Sequence, residues 1–465
     1  MTTPSLPRLI VSGLSGGAGK TINSLGLARA WAEAGRTVAP FKKGPDYIDA
    51  VWLGLAARGI CANIDPFFMS EDTMRSLFWD RAAGADVAIL EGNRGLFDGM
   101  DTEGSCSTAS VARALETPVL LSLDCTKMTR TAAAVVAGVS GFEPGVRLGG
   151  VILNRTAGPR HRAILRSAIE HYTDVPVLGA LPKISPDPIP ERHMGLVSNR
   201  EYAGQEDILG NLARIMRENT DMDRIWAMAQ SAPAPSQAIA PLWPDAPAAQ
   251  DVTIGYVRDA ALWFYYEENL EALRRAGAHL VELSLLSDAP WPEIDGLYLG
   301  GGFPETLAAD LSANTAMLQY VRGLAESGLP IYAECGGFMY LTQGVTYEGT
   351  DYPMAGVLDV HTEFRPHPQG LGYIEARVER ENPYHPVGAV VPGHEFHYSA
   401  CVTNAPSAHP TVLAMERGKG TIDGRDGIVK NNVFAGYAHI HAFGAPWWAP
   451  NFVAAARRFK DGSRP

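Results

Sequence analysis

Twice along this chain, short apolar runs alternate with stretches of helical period, and that recurrence restricts the fold more than any other feature. Residues 9–14 form the first apolar run. Residues 20–34 follow with Ile22, Leu25, Ala28 and Trp31 on a helical period, and Gly35 is suited to end the helix. Further strands are expected at 37–41, 87–90, 119–123, 150–153 and 177–179, with helices at 109–115, 130–137 and 161–171. Strand and helix in repetition predict an α/β fold with a parallel sheet covered on both faces. A second series has strands at 253–257, 280–283, 296–299 and 330–333 and helices at 268–276 and 317–326. Between the two lies 231–250, a stretch with five prolines and no clear period, which reads as an interdomain linker. The expected organisation is therefore a domain over 1–230, a linker over 231–250 and a domain over 251–465, in keeping with the chain's 465 residues.

Charge and cysteine usage exclude several classes. The net charge is −12, from 51 acidic and 39 basic residues, and no Lys/Arg run forms a basic face. Nucleic acid and anionic membranes are therefore not expected partners. The five cysteines, Cys61, Cys106, Cys125, Cys335 and Cys401, are far apart, with no C-x-x-C spacing. Neither a zinc site nor a disulfide framework is predicted. No stretch reads as a secretory signal or reaches the ~18–20 apolar residues of a membrane span. The expected location is the cytoplasm.

The first strand runs into Gly13-Leu14-Ser15-Gly16-Gly17-Ala18-Gly19-Lys20-Thr21. Glycines such as Gly16, Gly17 and Gly19 let the backbone turn tightly and aim its N–H groups at phosphate oxygens. Lys20 is placed to reach the terminal phosphates, and Thr21 to ligate Mg²⁺. The first glycine sits one residue earlier than in the strict phosphate-loop pattern. ATPases that partition DNA carry a second lysine inside this loop; here that position is Ser15, which argues against that class.

Two acid-bearing segments follow apolar strands: Lys42-Lys43-Gly44-Pro45-Asp46-Tyr47-Ile48-Asp49, and Glu91-Gly92-Asn93-Arg94-Gly95-Leu96-Phe97-Asp98-Gly99. An acid at the carboxyl end of a buried parallel strand faces the ligand crevice. Asp46 and Glu91 are candidate Mg²⁺ ligands, with Asp49 and Asp98 beside them. Lys42 is suitably near to neutralise phosphate charge, and Lys43 has either that role or that of a solvated surface lysine.

In the second half, a strand ends in Glu334-Cys335-Gly336-Gly337. Such a strand-to-helix turn exposes a thiol at a helix N-terminus, which is expected to lower its pKa. Gly300-Gly301-Gly302 ends an earlier strand, and the backbone N–H groups of Gly301 and Gly336 are candidate oxyanion donors. Gly436-Tyr437-Ala438-His439-Ile440-His441 supplies a candidate base, His439, for the candidate nucleophile Cys335. Gly393-His394-Glu395-Phe396-His397 has H-E-x-H spacing, not the H-E-x-x-H of a helical zinc site, and reads as a loop or strand lining the thiol side. Arg258-Asp259 and Phe264-Tyr265-Tyr266 fit either domain packing or substrate contact.

The run GLSGGAGKT, PFKKGPDYID, LEGNRGLFDG and GGVILNR (149–155) resembles the cobyrinic acid a,c-diamide synthase family, whose first domain is similar to dethiobiotin synthetase. The 300–305, 331–337 and 436–441 segments resemble class I glutamine amidotransferases, in the subgroup fused to such synthases. The resemblance implies a phosphate-loop domain followed by a flavodoxin-like amidotransferase domain. It implies that ATP phosphorylates a substrate carboxylate and that ammonia from glutamine attacks the acyl phosphate, with one ATP and one glutamine consumed per amide. It also implies that Lys20, Thr21, Asp46 and Glu91 serve phosphate and Mg²⁺, that Asp49 and Asp98 assist the substrate, and that Asn154 reads adenine. His441 stands where many relatives carry the Glu that orients the base, so it is the candidate third member of a Cys–His triad whose completion stays open. The implied substrate is a tetrapyrrole polycarboxylate, cobyrinic acid first. Hydrogenobyrinate, siroheme and Ni-sirohydrochlorin are alternatives, because Asn93-Arg94, Ala50-Val51-Trp52 and Leu196-Val197-Ser198 after Met194 depart from the pattern of many cobyrinate enzymes. Ammonia is expected to pass between the domains without escaping, and a homodimer is left open.

Overall fold

The computed structural model of the chain describes residues 5–184, 204–403 and 410–462, together with a short strand pair, Glu191–Arg192 with Gly195–Leu196. Met194, Val197, Ser198 and the side chain of Leu196 lie outside the described residues. The chain divides into two compact units, Met1–Pro244 and Asp245–Pro465. The proline-rich stretch is split by that boundary. Its first part is tied to the first unit: Ser5 Oγ donates to Ala232 O (2.9 Å), Ser236 N to the Glu116 carboxylate (2.9 Å) and Arg75 to Gln237 (2.7 Å).

The first unit alternates β1 (Arg8–Gly13), α1 (Lys20–Glu33), β2 (Val38–Lys43), α2 (Tyr47–Ala57), β3 (Ala62–Ile64), α3 (Glu71–Arg81), β4 (Val87–Glu91), α4 (Thr108–Ala114), β5 (Val119–Asp124), α5 (Thr131–Phe142), β6 (Leu148–Thr156), α6 (Pro159–Tyr172) and β7 (Val177–Pro182). The strands form one seven-stranded sheet, ordered β3-β2-β4-β1-β5-β6-β7. Every pairing in it is parallel. β1, β2 and β4 are buried along their whole length, as a sheet covered on both faces requires. Because β1, β4 and β2 are neighbours, their carboxyl ends bring the phosphate loop and both acid-bearing segments to one edge. In register, Val11 and Lys42 both stand opposite Glu91. A further helix, α7 (Gln205–Asn219), packs on α1 at Gly26, where a Cβ would strike Met216 and come within 2.9 Å of Leu212 O, and α8 (Met222–Gln230) follows it.

The second unit is built on a ten-stranded mixed sheet. Its parallel part comprises β8 (Val252–Val257), β10 (Ala278–Leu283), β11 (Gly296–Leu299), β13 (Ile331–Glu334) and β18 (Val433–Gly436), in the order β10-β8-β11-β13-β18. Two short strands, β9 (Leu262–Phe264) and β12 (Gly301–Gly302), pair with each other. From β18 the sheet continues antiparallel through β17 (Arg425–Lys430), β16 (Thr411–Arg417), β14 (Gly370–Val378), β15 (Val390–His397) and β19 (His439–Ile440). Helix α9 (Glu267–Ala276) and helix α12 (Trp448–Lys460) cover one face, where Trp448, Phe452, Leu270 and Tyr298 share a core. Helices α10 (Thr315–Glu326) and α11 (Gly336–Leu341) contribute Val321 and Phe338 to a second core. Among the described residues no helix is long and apolar enough to cross a membrane.

Candidate functional site

In the first unit, β1 delivers the chain at Gly13 and α1 takes it up at Lys20. Gly17 (φ 70°) and Gly19 (φ 92°) adopt left-handed conformations that favour glycine. A Cβ at Gly19 would strike the Asn154 amide, whereas one at Gly16 or Gly17 would meet nothing within 4 Å. The loop is thus packed from below and open above. Below it, Asn154 Nδ2 (3.1 Å) and Ser122 Oγ (2.7 Å) both donate to Ala18 O. Asn154, expected at the adenine, is buried and braces the loop. Lys20 Nζ donates to Ser15 O across the loop (2.8 Å).

The acidic groups converge beneath the start of α1. Lys42 is buried between Asp49 Oδ2 (2.6 Å) and Glu91 Oε1 (2.9 Å). Thr21 Oγ1 donates to the same Glu91 oxygen (2.8 Å). The other oxygen, Glu91 Oε2, is buried and has no hydrogen-bond partner. Burial pushes the Glu91 carboxyl above its usual range, with Lys42 opposing. Asp46 is pushed up to about 7 by burial and by the nearby Asp49 carboxylate. Burial disfavours the Lys42 ammonium, but Asp49 and Glu91 outweigh it and hold its pKa well above the ordinary value. Burial lowers Lys20, with Glu91 opposing. Asp46 is also the cap of α2, its Oδ1 accepting from Asp49 N (2.9 Å), so it sits at a helix start and not in an open loop. Asp98 is exposed and accepts from Gly95 N (2.9 Å). Lys43 is buried and lies 3.9 Å from Asp65, so it is not a solvated surface lysine.

These residues fit a divalent cation. Glu91 Oε2 is a buried acceptor without a partner, and Asp46 has its carboxyl raised by burial and by the neighbouring carboxylate. Among the described residues no group of three or more His, Cys, Asp and Glu forms a complete metal cage.

In the second unit, Cys335 occupies the bend between β13 and α11 at φ 48°, ψ −100°. A non-glycine residue there stores roughly 1–3 kcal/mol of strain, as nucleophile turns do. Cys335 N donates to Gly436 O (2.7 Å), which pins the bend to β18. The expectation of a lowered thiol pKa is corrected. Burial pushes the thiol well up and Glu305 adds to this, while the Gly336 N–H pulls the other way. The following helix has six residues and does not overcome these effects. Ionisation of Cys335 therefore needs a base beside it.

The glycine turn lies between the thiol bend and His439. A Cβ at Gly336 would come within 2.9 Å of Gly302 N, and one at Gly301 would strike His439 Cε1 and reach its Nε2 at 3.3 Å. Tyr265 braces this turn from behind: Gly300 N donates to its hydroxyl (2.8 Å), which donates to Val257 O. Asp259 accepts from Ala261 N (2.9 Å) and Leu285 N (2.7 Å), and Arg258 pairs with Glu267 (2.7 Å), so these residues organise the domain. The G-H-E-F-H segment is strand β15. His394 stands opposite His439 in register and stacks on it (4.7 Å, 14°). Glu395 accepts from Lys419 N (2.6 Å) and Gly420 N (3.0 Å). His441 lies elsewhere, its Nε2 3.7 Å from Glu268 and its ring on Tyr266. Glu334, given no role from sequence, is buried with its Oε2 3.6 Å from His439 Nδ1. The only signal for it was an acid ending an otherwise apolar strand.

Comparison with known proteins agrees with both halves. Residues 9–196 match the CobQ/CobB/MinD/ParA nucleotide binding domain, and residues 253–447 match the CobB/CobQ-like glutamine amidotransferase domain. Joined in one chain, they define a glutamine-dependent ligase of α/β fold. Among curated proteins, the cobyrinate a,c-diamide synthase of Magnetococcus marinus is 44% identical over 99% of this chain and 99% of its own. That of Dehalococcoides mccartyi (strain CBDB1) is 38% identical over 98% and 99%, and that of Listeria innocua 37% over 97% and 100%. The chain belongs to the cobyrinate a,c-diamide synthase family.

Proposed function

We propose that this chain amidates the a and c acetate carboxylates of cobyrinic acid, in cobalamin biosynthesis, using ATP and glutamine. One observation carries the first half-reaction. Thr21, Lys42 and the partnerless oxygen of Glu91 meet beneath an open glycine loop at one sheet edge. A carboxylate attacking the γ-phosphorus brings two anions together, and the site is built to hold cations against that charge. Thr21, Glu91 and Asp46 would hold Mg²⁺, which supplies charge neutralisation when bound. Lys20 and Lys42 add fixed positive charge. The substrate carboxylate becomes an acyl phosphate as ADP leaves, and ammonia then displaces phosphate to give the amide.

Ammonia comes from the second unit. Cys335 Sγ gives its proton to His439 and attacks the glutamine carboxamide carbon. The oxyanion is held by backbone N–H groups of Gly336 and Gly301, and His439 returns the proton to the leaving amine, releasing ammonia. Water then hydrolyses the thioester to glutamate and restores the thiol. The test is product mass spectrometry with cobyrinate, hydrogenobyrinate and siroheme in parallel. Cobyrinate should lose, twice, the mass difference between a hydroxyl and an amino group, consuming one ATP each time. Conversion of siroheme in place of cobyrinate refutes the substrate assignment. Cys335→Ser should abolish glutamine use and retain synthesis from ammonium chloride; loss of both refutes the division of labour.

A further inference from the structure

We infer that Glu334, the residue before the nucleophile, is the carboxylate that orients His439. This rests on reading Cys335 and His439 as nucleophile and base. Glu334 closes β13 in a core position, 1% exposed, where a carboxylate needs fixed partners. Both of its oxygens have them. Oε1 accepts from Ile440 N (3.2 Å) and Oε2 from the Tyr298 hydroxyl (3.1 Å). Oε2 also stands 3.6 Å from His439 Nδ1. The opposite side of the same imidazole, Cε1 and Nε2, lies against Gly301 in the turn beside the thiol bend. A carboxylate at Nδ1 keeps the proton there, which leaves Nε2 the role of accepting the thiol proton, and it stabilises the imidazolium once that proton arrives.

His394, Phe264 and His441 do not offer this. His394 stacks on its face, and burial among histidines holds His394 well below its usual range, hence neutral. Phe264 is apolar, its ring centroid 6.4 Å from that of His439. His441 has its Nε2 turned to Glu268 (3.7 Å), and its Nδ1 accepts from Phe443 N (3.3 Å). Glu334 also ties the two halves of the site together. It shares a strand end with the nucleophile and holds the backbone of β19, which carries the base.

Glutamate release from glutamine, with ATP and cobyrinate present, tests this in the full chain. Glu334→Gln keeps size and an acceptor for Ile440 N but removes the charge. It should lower glutaminase kcat by roughly a hundredfold with little change in KM, and leave ammonia-driven synthesis intact as the control for folding. The acid limb of the kcat/KM profile should move to lower pH, because the imidazolium has lost its anion. Glu334→Asp should recover part of kcat and the original limb. If Glu334→Gln does not fold, Tyr298→Phe, which frees Oε2 from its donor, should shift the same limb. Glutaminase within threefold of the parent in Glu334→Gln overturns the inference, as does an unmoved acid limb, or a greater loss from His441→Asn. In any of those cases a dead Cys335→Ser leaves the nucleophile assignment standing. Glutaminase surviving in Cys335→Ser refutes that assignment instead.

Discussion

Lys42 is fully enclosed, with a carboxylate on either side and a phosphate loop above. Replacing it by methionine leaves Asp49 and Glu91 facing each other in a buried site. Breaking a buried pair in this way costs about 3–5 kcal/mol. Lys42→Met should show a loss of that size in denaturant unfolding at pH 8. The loss should shrink toward pH 5 as the orphaned carboxylates take up protons. Asp46 gives a second pH signature. Its pKa of about 7 means that Mg²⁺ must compete with a proton as the solution is acidified. Mg²⁺-nucleotide affinity should fall about tenfold between pH 8 and pH 6, and Asp46→Asn should flatten that dependence. In the second unit, Gly301→Ala places a methyl where the His439 ring lies. Glutamine-driven amidation should drop by roughly 10²-fold while ammonia-driven amidation persists, as paired assays would show.

At the scale of elements, close contact between α1 and α7 depends on Gly26. Gly26→Ala pushes a methyl into Met216 and the Leu212 carbonyl, and should destabilise the protein by about 1–3 kcal/mol in a urea melt without moving the nucleotide site. Elements with a strong local period were the ones legible from sequence. The strand at 9–14 is Arg8–Gly13, and the helix at 20–34 is Lys20–Glu33. The helix at 130–137 runs on to Phe142 through Gly138 and Gly141, which look like breakers but face open space, while Val139 between them packs on the core. Helix α2 was hidden because its start, Gly-Pro-Asp, reads as a turn. The antiparallel strands between 370 and 430 went unread, since their partners are set by long-range register and not by local pattern. At the site, residues carried by glycine-rich turns announced themselves. Glu334 and the His394–His439 stack did not, because they arise from pairing between strands distant in sequence.

At the scale of the molecule, two compact units with separate cores predict two calorimetric unfolding transitions. Saturating Mg²⁺-nucleotide should raise only the transition that Gly26→Ala lowers, by about 2.7 kcal/mol at a hundredfold excess over Kd. One cooperative transition that responds as a whole would contradict this. The edge position of β19 has a further consequence. Cys335 stands at the end of a strand in the parallel half of the sheet, whereas His439 is held by β15 at the far end of the antiparallel half. About a hundred residues separate them, so their meeting is a high-contact-order event that comes late in folding. A half-folded chain would hold the thiol apart from its base, and would not waste glutamine before the enzyme is complete.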